Sequence, residues 1–123
     1  MRRLISNIVL FFVAISLLFT VGTFGLVYTI FWSFYNSSKI SFFKYWGDLM
    51  YTINVGIDKI GNVLLAAFLN KFATIKPQYK FGNINDTISE ALAKNLDNLA
   101  PLGQFIVDVL EWIDPGHMKK SMK

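Results

Sequence analysis

Few side chains in this 123-residue chain could do chemistry, and most of them lie in its second half. A serine hydroxyl becomes a nucleophile when a histidine accepts its proton and a carboxylate orients that histidine. Ser89, His117 and either Asp58 or Asp86 would supply those three groups. Ser89 does not lie in a Gly-x-Ser-x-Gly turn, and its position at a helix start explains it without catalysis. We therefore expect a protein that is not an enzyme, with Asp58, Asn83, Ser89 and His117 as the candidate residues if it is a hydrolase.

Metal ions and cofactors find little in the sequence to bind them. His117 is the only histidine and there is no cysteine, so zinc-ligand spacing is missing. Asn83, Asn85 and Thr87 alternate oxygen-bearing side chains as a calcium loop does at its start. Such a loop requires Asp first, Gly sixth and Glu twelfth, whereas the chain has Asn, Ile and Lys at those positions. With no phosphate-binding loop either, we expect no metal and no cofactor.

The distribution of charge argues against nucleic acid as a partner. The chain has 12 basic and 8 acidic side chains, a net charge of +4. Segment 76–117 nevertheless has more acidic than basic side chains, and three lysines follow it as a short tail. A nucleic-acid-binding domain would present a basic face on its folded part. We therefore expect no binding to DNA or RNA.

The elements that position these residues begin with a long apolar segment. Leu4 to Tyr35 contains no charged residue, and about 20 apolar helical residues suffice to cross the roughly 30 Å core of a bilayer. The segment is longer than the 7–15-residue apolar region of a secretion signal. No Ala-x-Ala-like cleavage site closes it. The pattern predicts a retained transmembrane helix within a membrane anchor at residues 1–36.

Basic and aromatic residues flank this segment. Arg2 and Arg3 precede it and Lys39 and Lys44 follow it, which by the positive-inside rule weakly favours a cytoplasmic N-terminus and an external C-terminus. Tryptophan and tyrosine concentrate at membrane interfaces, where lysine side chains extend toward the headgroups. We predict an interface formed by Trp32, Tyr35, Lys39, Lys44 and Trp46.

The next segment, 37–75, predicts an amphipathic helix over Gly47 to Phe72. Apolar residues recur there at spacings of three and four. They are Ile53, Ile57, Ile60, Leu64, Ala67 and Phe68. Asp58 and Lys59 make a second membrane crossing costly, so we expect this helix to lie in the interface or to pack on the small domain. Gly61 and Asn62 mark a kink or break.

The C-terminal domain, 76–123, predicts a helical hairpin. Gly82 and Asn83 favour a turn, and Thr87 and Glu90 have the spacing of a capping box that starts a helix ending near Leu96. A second helix follows, with an apolar stripe formed by Leu102, Phe105, Ile106, Val109, Leu110 and Ile113. A turn at Asp114-Pro115-Gly116-His117 ends it. Lys119, Lys120 and Lys123 form a basic tail.

Four short motifs in the second half resemble those of a widespread family of small bacteriophage and prophage proteins, including membrane-anchored versions. The motifs are Asp58-x-x-Gly61-Asn62, Phe81-Gly82-Asn83-x-x-Asp86-Thr87-Ile88-Ser89, Leu92-x-Lys94-Asn95 and Asp114-Pro115-x-His117 followed by Lys120-Ser121. The resemblance implies a phage origin and an association with lysis. The family usually has two acidic residues before the threonine and often a cysteine after the histidine. Asn85-Asp86 and Met118 stand here instead, which argues against chemistry that needs both carboxylates or a thiol.

Together these features predict an all-α, single-pass protein of the host inner membrane. It has one long transmembrane helix, an amphipathic interfacial helix and a small C-terminal helical hairpin. We expect it to act by membrane insertion or association, in lysis as a holin-like or accessory protein. Two alternatives stay open: a membrane-tethered adaptor or virion-membrane component that binds a protein partner, and a membrane-anchored hydrolase. The expected partners are the lipid bilayer and either a second copy or one other protein.

Overall fold

The computed structural model describes residues 1–38 and 41–122, and regular structure within them is helical apart from one isolated β-bridge. The predicted interface residue Lys39 and the tail residue Lys123 lie outside the described residues. The chain divides into two compact units, Met1–Asp48 and Leu49–Lys123, called unit 1 and unit 2 below. The helices are α1 (Arg2–Tyr35), α2 (Phe42–Leu64), α3 (Ala66–Phe72), α4 (Ile88–Ala93), α5 (Pro101–Ile113) and α6 (His117–Ser121), with a 3₁₀ turn at Leu96–Asn98.

Helix α1 matches the predicted apolar segment. Its 34 residues extend over about 51 Å at 1.5 Å per residue. The helix is long and apolar enough to cross a membrane, and none of its most apolar 18-residue stretch is buried. Two threonines near its middle donate to backbone carbonyls one turn back, Thr20 to Ser16 at 2.8 Å and Thr23 to Phe19. Their polar hydroxyls are therefore satisfied inside the helix, as an apolar environment requires.

Helix α1 ends at Tyr35, before the polar triplet Asn36-Ser37-Ser38, and aromatic side chains from α1 and α2 contact each other near this end. The Phe34 and Phe42 ring centroids lie 5.1 Å apart. The indole N–H of Trp46 donates to the Ser33 hydroxyl at 3.2 Å, and Ser33 is fully buried. Trp46 thus connects the end of α1 to the start of α2. Tyr35 and Lys44 are exposed.

The amphipathic helix differs from its prediction in both its start and its break. Helix α2 begins at Phe42, five residues before the predicted Gly47. The break falls at Leu65, where α2 and α3 meet at a bend of 74°. Gly61 stays helical because its carbonyl accepts the Leu65 N–H at 2.9 Å. The predicted break at Gly61-Asn62 is therefore wrong. Instead of breaking the helix, Asn62 uses its side chain to bind the backbone of Gly82, Asn83 and Asp86.

In its second half, α2 buries polar side chains and exposes apolar ones, the reverse of an ordinary core helix. Asn62 is fully buried and Asp58 is half-buried. The predicted apolar stripe remains on the surface, with Ile53 42%, Ile57 64%, Ile60 56% and Leu64 76% exposed. Polar side chains thus face the interior of unit 2 while the apolar stripe has no cover among the described residues.

Unit 2 has a small core made mainly of small and medium side chains. It contains Leu69, Ala73, Phe81, Ala91, Leu92, Ala93, Val107 and Met118. Helix α6 contacts α4 and α5, and α3 contacts α5. The backbones approach closely at Gly103, where a Cβ atom would lie 2.1 Å from the carbonyl oxygen of Ala73. That carbonyl accepts the Ala100 N–H at 2.9 Å, next to the Thr74–Leu99 bridge.

Three further details of the predicted C-terminal domain change. Helix α4 ends at Ala93 instead of Leu96, because Asn95 turns its side chain back onto the Ala91 carbonyl. Helix α5 buries Gly103 and Val107, so the predicted stripe is wrong at Phe105 and Ile113, which are 64% and 66% exposed. The expected turn at Asp114-Pro115-Gly116 is present, but His117 to Ser121 then form helix α6 where a basic tail was expected. Within residues 76–122 the α-helices are therefore three, α4, α5 and α6.

Candidate functional site

Asn62 holds the irregular segment 74–87 onto α2. Its side-chain oxygen accepts the N–H of Gly82 at 3.1 Å, and its nitrogen donates to the carbonyls of Asn83 and Asp86 at 3.0 and 2.9 Å. Gly82 adopts φ +112°, a conformation that other residues rarely take. The Gly82-Asn83 turn predicted from the sequence is thus held from 20 residues earlier in the chain.

Two further asparagines hold the same segment. Asn70 accepts from the Phe81 N–H at 3.0 Å and donates to the Phe81 carbonyl at 3.1 Å. Fully buried Asn95 accepts from the N–H groups of Gln78 and Tyr79 and donates to the carbonyls of Tyr79 and Ala91. Each amide supplies hydrogen-bond partners that the backbone of a segment without regular structure lacks.

Asp86 forms a separate polar group on this segment. The Tyr79 hydroxyl and the Asn83 amide both donate to Asp86, and Lys94 forms an ion pair with it at 3.1 Å. The Tyr79 hydrogen bond and the Lys94 charge hold the pKa of Asp86 below its ordinary value, against the effect of its desolvation. The Lys94 ammonium also lies 4.1 Å from the centre of the Tyr79 ring.

A second polar group, called the Ser89 cluster below, contains Asp58, Ser89, Asp114 and His117. The Ser89 Oγ lies 3.2 Å from His117 Nε2 and also 3.2 Å from Asp58 Oδ2. The other imidazole nitrogen, Nδ1, lies 3.1 Å from Asp114 Oδ2. Asp58 Oδ1 accepts the Ile88 N–H at 3.1 Å. The cluster therefore joins α2, α4 and α6.

Local structure places Ser89 and His117. The capping box predicted at the start of α4 is present: the Thr87 hydroxyl accepts the Glu90 N–H, and the Glu90 carboxylate accepts the Thr87 N–H. Gly116, at φ +81°, forms the predicted turn before α6. Ser89 and His117 thus both lie in the first turn of a short helix.

The turn before His117 is held by two carboxylates. Glu111 accepts the N–H groups of Gly116 and Met118 at 2.7 and 2.8 Å, which lowers the pKa of Glu111. Asp114 pairs with Lys120, and the hydrogen bonds from Lys120 and then His117 lower the pKa of Asp114. The imidazole therefore faces an ionised carboxylate at neutral pH.

The protonation state of His117 decides how the Ser89 cluster is bonded, because a hydroxyl has only one proton to donate. In the neutral imidazole with its proton on Nδ1, Asp114 accepts that proton and Nε2 is free to accept from Ser89. In the doubly protonated imidazole, Nε2 donates to Ser89 and Ser89 donates to Asp58. The cluster can thus shift a proton between the serine and the imidazole, or act as a structural connection between three helices.

A cavity of about 460 Å³ opens beside the cluster. All four residues of the Ser89 cluster line it. The rest of its wall includes polar, basic and apolar side chains, among them Asn54, Val55, Lys59, Leu110, Ile113 and Ser121. The cavity is of the size that small-molecule sites occupy.

The structure brings together three of the four candidate residues. Asp58, Ser89 and His117 meet, whereas the Asn83 side chain lies on Tyr79 and Asp86. Asp86, the other carboxylate considered for the histidine, belongs to that second group. The carboxylate beside His117 Nδ1 is Asp114, three residues earlier in the chain. Sequence reasoning passed over it, although the Asp-Pro-Gly-His turn brings positions one and four close together.

Most of the motif residues contact other motif residues. Asn62 bonds to Gly82 and Asn83, and Ser89 lies within hydrogen-bond distance of Asp58 and His117. Gly61 allows close packing, since a Cβ there would lie 3.2 Å from Ile88 Cδ1. Among residues 1–38 and 41–122 there is no group of three or more metal-ligating side chains.

Comparisons of the chain with models of protein families, with curated proteins and with solved structures gave no match.

Proposed function

We propose that the protein is a single-pass membrane protein that acts by inserting into and associating with the bilayer. The length and exposure of α1 support this most: the helix has 34 residues, none of its most apolar 18-residue stretch is buried, and the Thr20 and Thr23 hydroxyls are satisfied within the helix. An exposed apolar surface of that length is costly in water. A bilayer removes that cost, with Arg2 and Arg3 on the cytoplasmic side and unit 2 outside.

The exposed stripe of α2 supports a second contact with lipid. Ile57, Ile60 and Leu64 are more than half exposed, and a helix with such a stripe can lie at the headgroup boundary. We also propose a membrane interface formed by residues that precede this stripe in the chain, namely Trp32, Tyr35, Lys39, Lys44 and Trp46. The motif resemblance adds the setting: a phage-encoded protein of the host inner membrane, acting in lysis as a holin-like or accessory protein.

Inducible expression in a bacterial host tests this function. We expect the protein in the membrane fraction and a fall in membrane potential, recorded with a potential-sensitive dye, at a reproducible time. Leu18→Lys places a charge near the middle of α1, which costs about 2.5–3.5 kcal/mol on insertion scales, and should abolish both effects. Leu18→Ala is the matched control and should keep them. A membrane-inserted protein that leaves potential and growth unchanged would contradict the lysis role.

A second candidate function is a membrane-tethered adaptor that binds one protein partner. Unit 2 favours it because α5 leaves large apolar side chains uncovered, with Trp112 83% and Phe105 64% exposed. Exposed aromatic residues are enriched at protein interfaces. Crosslinking in cells should then give one stoichiometric adduct that Trp112→Ala weakens and Asp108→Asn does not. Adduct formation that is insensitive to Trp112→Ala would contradict the adaptor.

A further inference from the structure

We propose that unit 2 contains an acyl-transfer site in which Ser89 is the nucleophile, His117 the general base and Asp114 a positioning residue. The substrate class is a small carboxylic ester bound in the cavity beside the Ser89 cluster. This inference goes beyond the membrane function and does not rest on it, because every group involved lies between Asn54 and Ser121.

The order of the atoms carries the inference. Ser89 Oγ, His117 Nε2, His117 Nδ1 and Asp114 Oδ2 follow one another with gaps of 3.2 Å across the first pair and 3.1 Å across the last. A nucleophile within hydrogen-bond reach of a base, which a third group orients, is the arrangement that activates a serine. Asp114 fixes the tautomer, since the proton it accepts on Nδ1 leaves Nε2 free to accept from Ser89.

The cavity supplies the remaining requirements of the reaction. Val55, Leu110 and Ile113 provide an apolar wall for the acyl chain, and the cavity's volume of about 460 Å³ suits a molecule of modest size. Asn54 and Lys59 line the same cavity and provide N–H donors. Such donors stabilise the negative charge that develops on a carbonyl oxygen during attack.

The reaction balances without any other reagent than water. Ser89 Oγ attacks the ester carbonyl carbon while its proton moves to His117 Nε2. The bond from that carbon to the alcohol oxygen breaks, and the alcohol leaves with the proton from His117. Water then attacks the acyl-serine and gives one proton to His117. The acyl–Oγ bond breaks, the proton returns to Ser89, and the carboxylic acid is released.

The competing explanation is that Ser89 only connects α2, α4 and α6. Its hydroxyl also lies 3.2 Å from Asp58 Oδ2, and only 7% of the residue is exposed. A structural serine in this position would be unreactive. Reactivity of the side chain, and its dependence on His117, therefore separates the two explanations.

The first test is covalent labelling of the full chain in detergent with an alkyl fluorophosphonate, followed by peptide mapping. Ser121 lines the same cavity and is the internal control. We expect the phosphonyl adduct on Ser89 and none on Ser121. His117→Ala should slow the labelling by at least about 100-fold, the usual contribution of a general base. The absence of an adduct on the folded chain, or an adduct on Ser121, would overturn the proposal.

A second variant keeps the proposal testable if His117→Ala unfolds. The chain has no cysteine, so Ser89→Cys introduces a single thiol that iodoacetamide reports. We expect alkylation of that thiol to be at least about tenfold faster at pH 6 than that of Ser121→Cys, because a base beside it favours the thiolate. Adding Asp114→Asn should shift the pH profile of this reaction, which loss of packing alone would not do. Equal rates for the two thiols would overturn the proposal.

Discussion

The side chain of Asn95 hydrogen-bonds to both backbone groups of Tyr79: its nitrogen donates to the Tyr79 carbonyl at 2.7 Å, and its oxygen accepts the Tyr79 N–H at 3.1 Å. Asn70 does the same for Phe81, and Asn62 does it across Gly82 and Asn83. Beyond the Thr74–Leu99 bridge, segment 74–87 pairs with no strand among the described residues, so these amides provide hydrogen-bond partners that a sheet would otherwise provide. The described part of unit 2 leaves no buried side-chain nitrogen or oxygen without a partner.

Asn95→Asp tests this arrangement with almost no change in volume. The variant loses two N–H donors and places a carboxylate against the carbonyls of Tyr79 and Ala91. We expect a loss of about 3–5 kcal/mol in the free energy of unfolding, the usual cost of an uncompensated buried charge. Thermal unfolding followed by circular dichroism measures it. Asn85→Asp, at an exposed position, should stay within about 0.5 kcal/mol of the wild type.

Two glycines should respond to alanine with opposite signs. A Cβ at Gly103 would meet the Ala73 carbonyl oxygen at 2.1 Å, whereas a Cβ at Gly56 would meet nothing within 4 Å. We expect Gly103→Ala to destabilise unit 2 by about 3 kcal/mol or more because α5 must move away from Ala73. Gly56→Ala should stabilise α2 by up to about 1 kcal/mol. Equal effects of the two variants would show that the close approach at Gly103 is wrong.

The capping box gives a smaller, graded effect. Thr87→Ala removes the oxygen that accepts the Glu90 N–H at 3.0 Å, and we expect a loss of about 1 kcal/mol of stability. Thr87→Ser keeps that oxygen and should recover most of the loss. Chemical denaturation of both variants checks the ranking, and identical midpoints for Ala and Ser would argue against the cap.

Acid should weaken the turn before α6. The pKa of Glu111 is lowered from 4.5, chiefly by the Met118 N–H, and the pKa of Asp114 is lowered from 3.8, chiefly by Lys120. A carboxyl group whose pKa is lower in the folded state stabilises that state above its unfolded value, and this stabilisation is lost as pH falls through the folded value. We therefore expect stability to hold above about pH 5 and to fall below about pH 4.

Glu111→Gln should reduce this pH dependence, because an amide does not titrate. The variant should be less stable than the wild type at pH 7 and should lose less on acidification to pH 3. Hydrogen exchange of the Gly116 and Met118 amides follows the same turn locally. An unchanged pH dependence in Glu111→Gln would remove Glu111 as the cause.

Features governed by near neighbours in the chain were predictable from the sequence. The apolar segment of α1, the capping box at Thr87 and Glu90, and the glycine turn at Gly116 each depend on residues within one or two turns. The limits of α2 were not predictable in the same way. Its start depends on contacts between aromatic rings, and its end at Leu64 has no glycine or proline to mark it.

The Ser89 cluster was predictable only in part, for the same physical reason. Ser89 is 31 residues from Asp58 and 28 from His117, so their meeting depends on how α2, α4 and α6 pack. The buried face of α5 was not predicted because it includes Gly103, which packs against Ala73 at the end of α3, and Val107. Phe105 lies on another face of the helix and is exposed. A glycine in a helix gives no sign of what approaches it.

Cysteine accessibility tests directly whether α1 crosses a bilayer. The native chain has no cysteine, so Ser6→Cys and Ser121→Cys each report one end to a membrane-impermeant maleimide in intact cells that express the protein. A membrane-spanning α1 predicts labelling of Ser121→Cys in intact cells and of Ser6→Cys only after permeabilisation. Labelling of both cysteines in intact cells, or of neither before permeabilisation, would place the two ends on one side of the membrane and contradict the transmembrane assignment.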